Sequence, residues 1–329
     1  MASKSRILLP DPAGIAAAAD VLRAGGLVAV PTETVYGLAA RADDGAAVAG
    51  IYAAKGRPSF NPLIVHVADM AQAETLAAFS PLAQQLAAAF WPGPLTLVLP
   101  RRADAPVASL VTAGLETIAL RCPAHPVMQA LVREVGPLAA PSANASGRIS
   151  PTQAGHVLGS LADVPVIDAG PCAAGVESTI VAVEAGGWRL LRPGAVAVEA
   201  IAAVVGHPSP RPPAALLHLT RRGRGVDAPD MMESHYAPQQ PVRLAVVTAG
   251  AHEFHIGFGA VAGDLNLSVA GDVVEAAARL FEMLHLAEAS GRAAIAVAPV
   301  PEAGLGAAIN DRLRRAAAPR EFAPPADGA

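Results

Sequence analysis

The first 205 residues alternate between short apolar runs and longer alanine-rich stretches. Each apolar run is rich in branched side chains and is bounded by Gly or Pro, which is typical of buried strands. The predicted strands are 27–30, 63–67, 95–99, 117–120, 166–167, 179–183 and 188–191. The alanine-rich stretches have the length of helices, which we predict at 12–24, 44–54, 70–78, 81–90, 126–135, 153–161 and 197–205. This alternation predicts an α/β domain over residues 1–205.

The pattern changes after this domain. Residues 206–240 are rich in Pro and Arg and show neither a helical nor a strand period, so we predict a linker there. Apolar periodicity then returns and predicts a second, smaller α/β domain over 241–320, followed by a tail at 321–329. Its predicted strands are 242–247, 254–259 and 293–298, and its predicted helices are 271–290 and 303–317.

Composition narrows the class of protein. The chain has 329 residues, 53% of them hydrophobic and 16% charged, which excludes a disordered protein and makes two domains the natural expectation. A net charge of −4 argues against a protein whose main function is to grip nucleic acid. Two cysteines exclude a disulfide scaffold and a four-thiolate zinc site. Because no apolar run reaches the ~20 residues of a membrane span and no signal peptide is recognisable, we predict a cytoplasmic protein.

Common catalytic motifs are absent from the sequence. It contains no phosphate loop of the G-x-x-x-x-G-K-[ST] type, no G-x-S-x-G elbow and no H-E-x-x-H pair. Residues 257–262 match a dinucleotide fingerprint, but they lead into another Gly-Asp turn instead of a helix, so we expect no dinucleotide there.

Four polar segments interrupt or follow the predicted strands, and each has a structural alternative. Residues 31–38 could form a ligand-binding turn or a helix N-cap. Lys55, one of only two lysines, could cup a polyphosphate together with Arg57 or could end a helix as a basic residue. His66 could face a ligand or be an ordinary core histidine. The remaining segments are 117–123 with 140–152, and 176–181 with 190–194.

Three of these polar segments contain an arginine: Arg57, Arg121 and Arg192. Together the three arginines suggest a small polyanionic ligand, although a structural salt bridge would explain any one of them. Backbone N–H groups and hydroxyls in the Ser/Asn/Gly segment could cradle phosphate without a phosphate loop.

These segments, in this order, resemble the YrdC-like family and more closely its long two-domain form, the threonylcarbamoyl-adenylate synthases. The resemblance lies in PTETVYGL, KGRPSFNPLIVHV, WPGPLTLVL, TIALRCP, PSANASGRISPT, VESTIV and LLRPG. HYAP at 235–238 looks like the linker signature of the two-domain form, and SVAGDVVEAAARLF and GLGAAINDRLRRAA look like its C-terminal domain.

The resemblance implies a twisted α/β sheet around a large, positively charged concave cavity, and a smaller Rossmann-like α/β domain at the C-terminus. It also implies a nucleotidyltransferase that converts L-threonine, bicarbonate and ATP into threonylcarbamoyl-AMP and pyrophosphate. Other proteins would then transfer the threonylcarbamoyl group to an adenosine next to the anticodon of tRNA. Such chemistry needs no protein nucleophile, which agrees with the missing motifs.

The resemblance further assigns roles to single residues. Lys55 and Arg57 are expected to act on the phosphates as catalytic residues. The implied ATP-binding residues are Lys55, Arg57, Asn61, Thr117, Ser142, Asn144, Ser150, Arg192 and Tyr236, with Thr117 able to face either ligand. The implied threonine-binding residues are Thr34, His66, Arg121 and Ser178. Mg²⁺ is expected on the ATP phosphates, with no protein carboxylate cage, although Glu33 or Glu177 could contribute through water.

The linker departs from the family pattern. Residues 228–234 read APDMMES, where the family usually has S-P-G-M followed by a basic or apolar residue. Asp230 therefore replaces a glycine, and Glu233 adds a second negative charge. We still expect the linker to act as a lid over the nucleotide.

Three other functions fit the sequence less well. An RNA-binding module would use the basic residues 221–224, but the acidic composition and the 4% aromatic content argue against stable nucleic-acid binding. A hydrogenase-maturation carbamoyltransferase would need cysteine-rich zinc motifs, which two cysteines exclude. A protein with a degenerate site is disfavoured because every polar segment is intact.

Overall fold

The computed structural model describes residues 6–184, 186–208 and 235–319. Within these ranges fourteen strands and ten helices follow one another along the chain. The strands are β1 (Ile7–Leu8), β2 (Val28–Val30), β3 (Gly37–Arg41), β4 (Ile64–His66), β5 (Leu95–Pro100), β6 (Thr117–Arg121), β7 (Leu138–Ala139), β8 (Val166–Ile167), β9 (Thr179–Glu184), β10 (Gly187–Arg192), β11 (Val242–Arg243), β12 (Glu253–Gly257), β13 (Leu265–Asn266) and β14 (Ala294–Val297). The helices are α1 (Pro12–Arg23), α2 (Gly45–Lys55), α3 (Met70–Glu74), α4 (Pro81–Phe90), α5 (Ser109–Thr112), α6 (Pro126–Val135), α7 (Ala154–Ser160), α8 (Val198–Val205), α9 (Val273–Ala289) and α10 (Gly306–Ala317).

Local sequence signals explain where several helices begin. Asp11 caps α1 by accepting a hydrogen bond from the Gly14 N–H, and Ser80 caps α4 in the same way, each followed by Pro in the first turn. Gly56 ends α2 in the left-handed conformation, which leaves Lys55 in the last helical turn. The proline and glycine punctuation of the sequence therefore sets these boundaries directly.

Ten strands form one mixed sheet in the order β1-β8-β2-β3-β7-β4-β6-β5-β9-β10. The remaining four form a separate sheet, β11-β14-β12-β13, whose pairings are all parallel. Helices α9 and α10 pack together beside this smaller sheet, as in a Rossmann-like unit.

Hydrophobic packing links the two parts of the molecule. One large cluster fills the N-terminal domain, while another holds the C-terminal strands and helices together. The C-terminal cluster also includes Val35, Ile149 and Val176 of the N-terminal domain and Tyr236. A shared apolar cluster of this kind fixes the C-terminal domain against the polar segments of the larger sheet.

The predicted elements and the observed ones differ mainly at short strands. The sequence pattern does not predict β1, β3, β7, β13 or the one-turn helix α5. These three two-residue strands and the single-turn helix are too short to show a period, and β3 is alanine-rich. The predicted helix 70–78 ends at Glu74, and the predicted strand 242–247 pairs only over Val242–Arg243. In the described residues no helix is long and apolar enough to cross a membrane.

The predicted domain limits remain a prediction. Most of the predicted linker and all of the predicted tail lie outside the described residues, including the departures at Asp230 and Glu233. In the part that is described, α8 ends at Val205 and β11 begins at Val242.

Candidate active site

Four neighbouring strands of the large sheet bring polar side chains to one end. His66 and Arg121 close the parallel strands β4 and β6 and are register partners. On the adjoining strands, Thr96 lies near the start of β5, and Ser178 directly precedes β9. Because β5 runs antiparallel to β6, its beginning lies beside the end of β6, and the four side chains share one edge of the sheet.

Arg121 is the charged centre of this edge. Its side chain is only 4% exposed, and its Nη1 donates to the Thr34 Oγ1 at 2.9 Å. Its Nη2 lies 2.7 Å from the Glu33 carboxylate, forming a buried ion pair. Burial opposes ionisation of Glu33, but the Arg121 guanidinium holds the pKa of this carboxyl below its ordinary value. The pair presents a cation and an anion side by side.

His66 lies beside this pair and is almost fully buried. Burial, reinforced by the nearby Arg121 cation, lowers its pKa to about 3, so the ring is neutral at physiological pH. Its Nδ1 has no hydrogen-bond partner among the described residues. An unsatisfied buried nitrogen is uncommon in an ordinary core histidine and favours the ligand-facing interpretation.

Lys55 is both a helix-end residue and a buried cation. The side chain leaves the last turn of α2 and donates from Nζ to the backbone carbonyls of Ser142 and Asn144, each at 2.5 Å. The Asn144 amide in turn donates to the Arg148 carbonyl, while its Oδ1 has no partner within the described ranges. Lys55 therefore anchors the Ser/Asn/Gly segment after β7.

Arg57 and Asn61 form the turn that follows Lys55. The Arg57 guanidinium donates to the carbonyls of Asn61 and Pro62, at 3.3 and 2.9 Å, and both side chains are nearly buried. The turn is thus held by its own arginine.

A third buried cluster surrounds Ser178. Its Oγ shares a 2.7 Å hydrogen bond with Thr96, and Arg192 donates to its carbonyl at 2.9 Å and to its Oγ at 3.2 Å. Next to it, Glu177 accepts a 2.5 Å hydrogen bond from the Ser150 hydroxyl. Arg192, Ser178 and Ser150, which the sequence places far apart, therefore lie in one network.

Tyr236 lies over this network from the described end of the predicted linker. The backbone is in the left-handed region at φ 63°, and the side chain is fully buried against Phe281, Arg312 and Arg315. Burial raises the pKa of its hydroxyl, which has no hydrogen-bond partner in the part of the chain that is described.

Thr117 lies at the opposite end of β6 from this edge. It starts β6, four positions before Arg121, so the two are roughly 13 Å apart along the strand. Alternation along a strand puts it on the same face as Ala119 and Arg121. Ala119 belongs to a small apolar cluster with Ile64 and Val98. Thr117 can therefore serve only a ligand that extends along the sheet.

The sequence predictions do not identify Thr96 or Arg312 as members of the site, and they link Glu33 only to magnesium. Thr96 is a polar residue inside an apolar strand, and this pattern does indicate a candidate site residue. Glu33 was considered only for magnesium, whereas its carboxylate pairs with Arg121. Arg312, fully buried and 2.8 Å from Glu177, lies far along the chain in an ordinary-looking helix, and no sequence pattern points to it.

The types of side chain near the site determine whether the protein itself could hold a metal ion. Among the residues described, no group of three or more His, Cys, Asp and Glu side chains could hold a metal ion. Both buried carboxylates near the site, Glu33 and Glu177, are paired with arginines. The arrangement instead offers buried cations and N–H groups, which suit carboxylate and phosphate groups.

Comparison with protein-family models gives two consecutive matches. Residues 20–194 match the Sua5/YciO/YrdC model, described as telomere recombination. Residues 196–318 match the model described as threonylcarbamoyl-AMP synthase, C-terminal domain.

Curated relatives and solved structures agree with these matches. A threonylcarbamoyl-AMP synthase of Pyrococcus abyssi is 41% identical over 91% of this chain and 92% of its own length. One of Bacillus subtilis is 48% identical over 70% of this chain and 66% of its own length, just under two thirds. The crystal structure of P. abyssi Sua5 complexed with L-threonine superposes with a TM-score of 0.84 at 39% identity, covering 93% of this chain and 95% of that chain.

The fold and site define a two-domain α/β protein with a YrdC-like sheet and buried cations at one sheet edge. Such an arrangement positions charged groups and stabilises charge on a bound substrate. The chain belongs to the threonylcarbamoyl-AMP synthase family and is an enzyme of that class.

Proposed function

We propose that this enzyme makes threonylcarbamoyl-AMP from L-threonine, bicarbonate and ATP and releases pyrophosphate. The observation that carries the proposal is the buried Arg121–Glu33 pair beside neutral His66, next to a separate set of buried cations. A side-by-side cation and anion match an amino acid zwitterion, and the cations match a polyphosphate.

Threonine would bind at the end of β4 and β6. Arg121 would pair with its carboxylate, and Thr34, His66 and Ser178 would contact the rest of the molecule. The relative from P. abyssi has been crystallised with L-threonine, which supports a threonine site in this fold. His66 suits this role because a neutral ring with an unsatisfied nitrogen can bond to an ammonium or a hydroxyl.

ATP would bind across the remaining clusters. Lys55 and Arg57 would meet the phosphates as the catalytic cations, and Tyr236 would cover the nucleotide. The other proposed contacts are Asn61, Thr117, Ser142, Asn144, Ser150 and Arg192. Mg²⁺ would be held mainly by the phosphate oxygens, since both nearby carboxylates are already paired with arginines.

The chemistry would proceed without a protein nucleophile. The threonine amine attacks the bicarbonate carbon, and loss of water gives a carbamate. A carbamate oxygen then attacks the α-phosphorus of ATP, the bond to the β-phosphate oxygen breaks, and pyrophosphate leaves. The enzyme would hold the reactants in line and neutralise the phosphate charge, and these two effects account for catalysis in many phosphoryl-group transfers.

The product would be a reactive mixed anhydride. We propose that other proteins take it up in the cytoplasm and transfer the threonylcarbamoyl group to an adenosine beside the anticodon of tRNA. The enzyme itself would bind neither nucleic acid stably nor a membrane.

Pyrophosphate release tests this proposal. Purified enzyme should release pyrophosphate from ATP only when threonine and bicarbonate are both present, and mass spectrometry should detect threonylcarbamoyl-AMP. Release that persists when either substrate is omitted would refute the assignment. Tight RNA binding at physiological salt without threonine-dependent turnover would favour the nucleic-acid-binding alternative.

A further inference from the structure

The C-terminal domain places one arginine inside the catalytic domain. Arg312 belongs to α10 and is 0% exposed. Its Nε donates to the Glu177 carboxylate at 2.8 Å, and its Nη1 donates to the Pro193 carbonyl at 2.8 Å. Its guanidinium also lies 5.1 Å from the centre of the Tyr236 ring. A single side chain thus contacts the loop before β9, the loop after β10 and the linker residue.

The groups that Arg312 contacts are the neighbours of proposed ATP ligands. Glu177 accepts the hydrogen bond from Ser150 through its other carboxylate oxygen, and Pro193 directly follows Arg192. Arg192 in turn bonds to Ser178. A change at Arg312 would therefore reach Ser150 and Arg192 through one intermediate contact each.

Arg312 also compensates the negative charge of Glu177. Glu177 is 5% exposed and ionised, because Arg312 and then Arg192 hold its pKa below the ordinary value in spite of burial. A buried carboxylate whose charge is not compensated repels nearby anions strongly in a low-dielectric environment. Without Arg312, Glu177 would compete with the phosphates of ATP for Arg192.

Two buried donors also indicate that this cluster has more than a structural role. Arg312 Nη2 and the Tyr236 hydroxyl are both buried and lack a hydrogen-bond partner in the described ranges. Unsatisfied donors on two fully buried side chains in one cluster are rare in a purely structural contact.

We propose that Arg312 is a positioning residue of the nucleotide site, which it supports by neutralising Glu177 and by holding the loops that carry Ser150 and Arg192. The C-terminal domain is then part of the nucleotide site instead of an appended module. This inference rests on the proposed function, because it assigns ATP to the Ser150 and Arg192 cluster.

A charge-removal series tests the inference by steady-state kinetics of pyrophosphate release. Arg312→Gln should raise the KM for ATP at least tenfold and change the KM for threonine less than threefold. Adding Glu177→Gln in the same chain removes the uncompensated charge and should bring the KM for ATP back to within threefold of wild type. Arg312→Lys, which keeps the charge, should lie between wild type and Arg312→Gln.

A matched control comes from another contact between the same two domains. The Glu282 carboxylate accepts a 3.1 Å hydrogen bond from Gln153, and Glu282→Ala should leave the KM for ATP unchanged. Calorimetric titration with a non-hydrolysable ATP analogue should give the same order of affinities as the kinetics.

The inference is overturned if Arg312→Gln binds ATP like wild type, or if the double variant is no better than the single one. Should Arg312→Gln fail to fold, the double variant still decides, since it must be folded and close to wild type in ATP affinity. Failure of the proposed function itself would be seen separately, as wild-type enzyme without threonine- and bicarbonate-dependent turnover.

Discussion

Lys55 illustrates how a residue's surroundings decide its role. As one of only two lysines in a chain that otherwise uses arginine, it occupies a space where a compact ammonium reaches two backbone carbonyls. A guanidinium is planar and wider, and it cannot occupy this buried position without moving the Ser142–Asn144 segment. The confined space around the ammonium group, more than its charge, is therefore the reason that this position requires lysine and not arginine.

We predict that Lys55→Arg loses at least 100-fold in threonine-dependent pyrophosphate release while the protein stays folded. The guanidinium would displace the segment that carries two proposed phosphate contacts. Activity assays combined with far-UV circular dichroism would measure both effects. Arg102→Lys, a swap at an exposed ion pair, is the matched control and should keep wild-type activity. Wild-type turnover in Lys55→Arg would show that Lys55 is only a helix-end charge.

At the scale of elements, the site depends on loops that touch other backbone closely. A Cβ on Gly194, in the loop after β10, would lie 2.4 Å from backbone atoms of Glu177, Ser178 and Thr179. Glycine is therefore needed for the two strand-end loops to approach each other. This close approach places Arg192 against Ser178.

We predict that Gly194→Ala lowers the free energy of unfolding by about 1–3 kcal/mol, because backbone must move to make room for the methyl group. The same movement should separate Arg192 from Ser178 and reduce activity at least tenfold. Urea unfolding and pyrophosphate release would measure the two effects. Gly159→Ala is the control: it lies in α7 with no atom within 4 Å of its Cβ and should be neutral or slightly stabilising. Equal behaviour of the two variants would contradict the close-approach argument.

At the scale of the whole molecule, the C-terminal domain packs against the loop between β8 and β9. Gly175 has φ 67°, and a Cβ there would lie 2.4 Å from the Ala278 backbone of α9. Beside this contact, His156 of α7 and His285 of α9 stack with ring centres 3.8 Å apart. His285 also donates to the carbonyl of Ser150. The domain interface therefore reaches the proposed nucleotide site.

We predict that Gly175→Ala weakens docking of the C-terminal domain. The clash with α9 should cost about 1–3 kcal/mol, in addition to the strain of a left-handed alanine. Differential scanning calorimetry should show an unfolding profile that is broader or more split than that of wild type, and activity should fall. Gly170→Ala is the control, since it has a similar φ of 79° but no atom within 4 Å of its Cβ. If both variants melt alike, backbone strain alone explains the effect and the docking argument is wrong.

The stacked histidines predict how stability depends on pH. Burial lowers the pKa of both His156 and His285 to about 4, from an ordinary value near 6.5. Between these two values the unfolded chain binds protons that the folded protein does not, so the free energy of unfolding falls as the pH falls from 6.5 to 4. Above pH 6.5 neither state is protonated, and this contribution is absent.

We predict that His285→Gln reduces this acid sensitivity, because glutamine can still donate to the Ser150 carbonyl but does not titrate. Urea midpoints measured at pH 7.0, 5.5 and 4.5 should drop less in the variant than in wild type. An identical drop would show that other groups dominate the acid response.

Much of the fold and part of the site follow from the sequence alone. Longer periodic segments such as α1, α4 and β5 were predicted to within about one residue, because their caps and apolar runs are local signals. The two-residue strands β1, β7 and β8 lack such local signals, and of these three only β8 was predicted. Their pairing depends on partners that are distant in sequence.

What the sequence determined is the class of chemistry: an α/β protein with buried-looking cations at strand ends and no nucleophile motif. Only the tertiary structure decided which charges meet. Glu33 pairs with Arg121, and Glu177 pairs with Arg312 across 135 positions and a domain boundary. Periodicity records which face of an element is buried, whereas an ion pair between domains leaves no periodic trace, so it becomes visible only when the chain is folded.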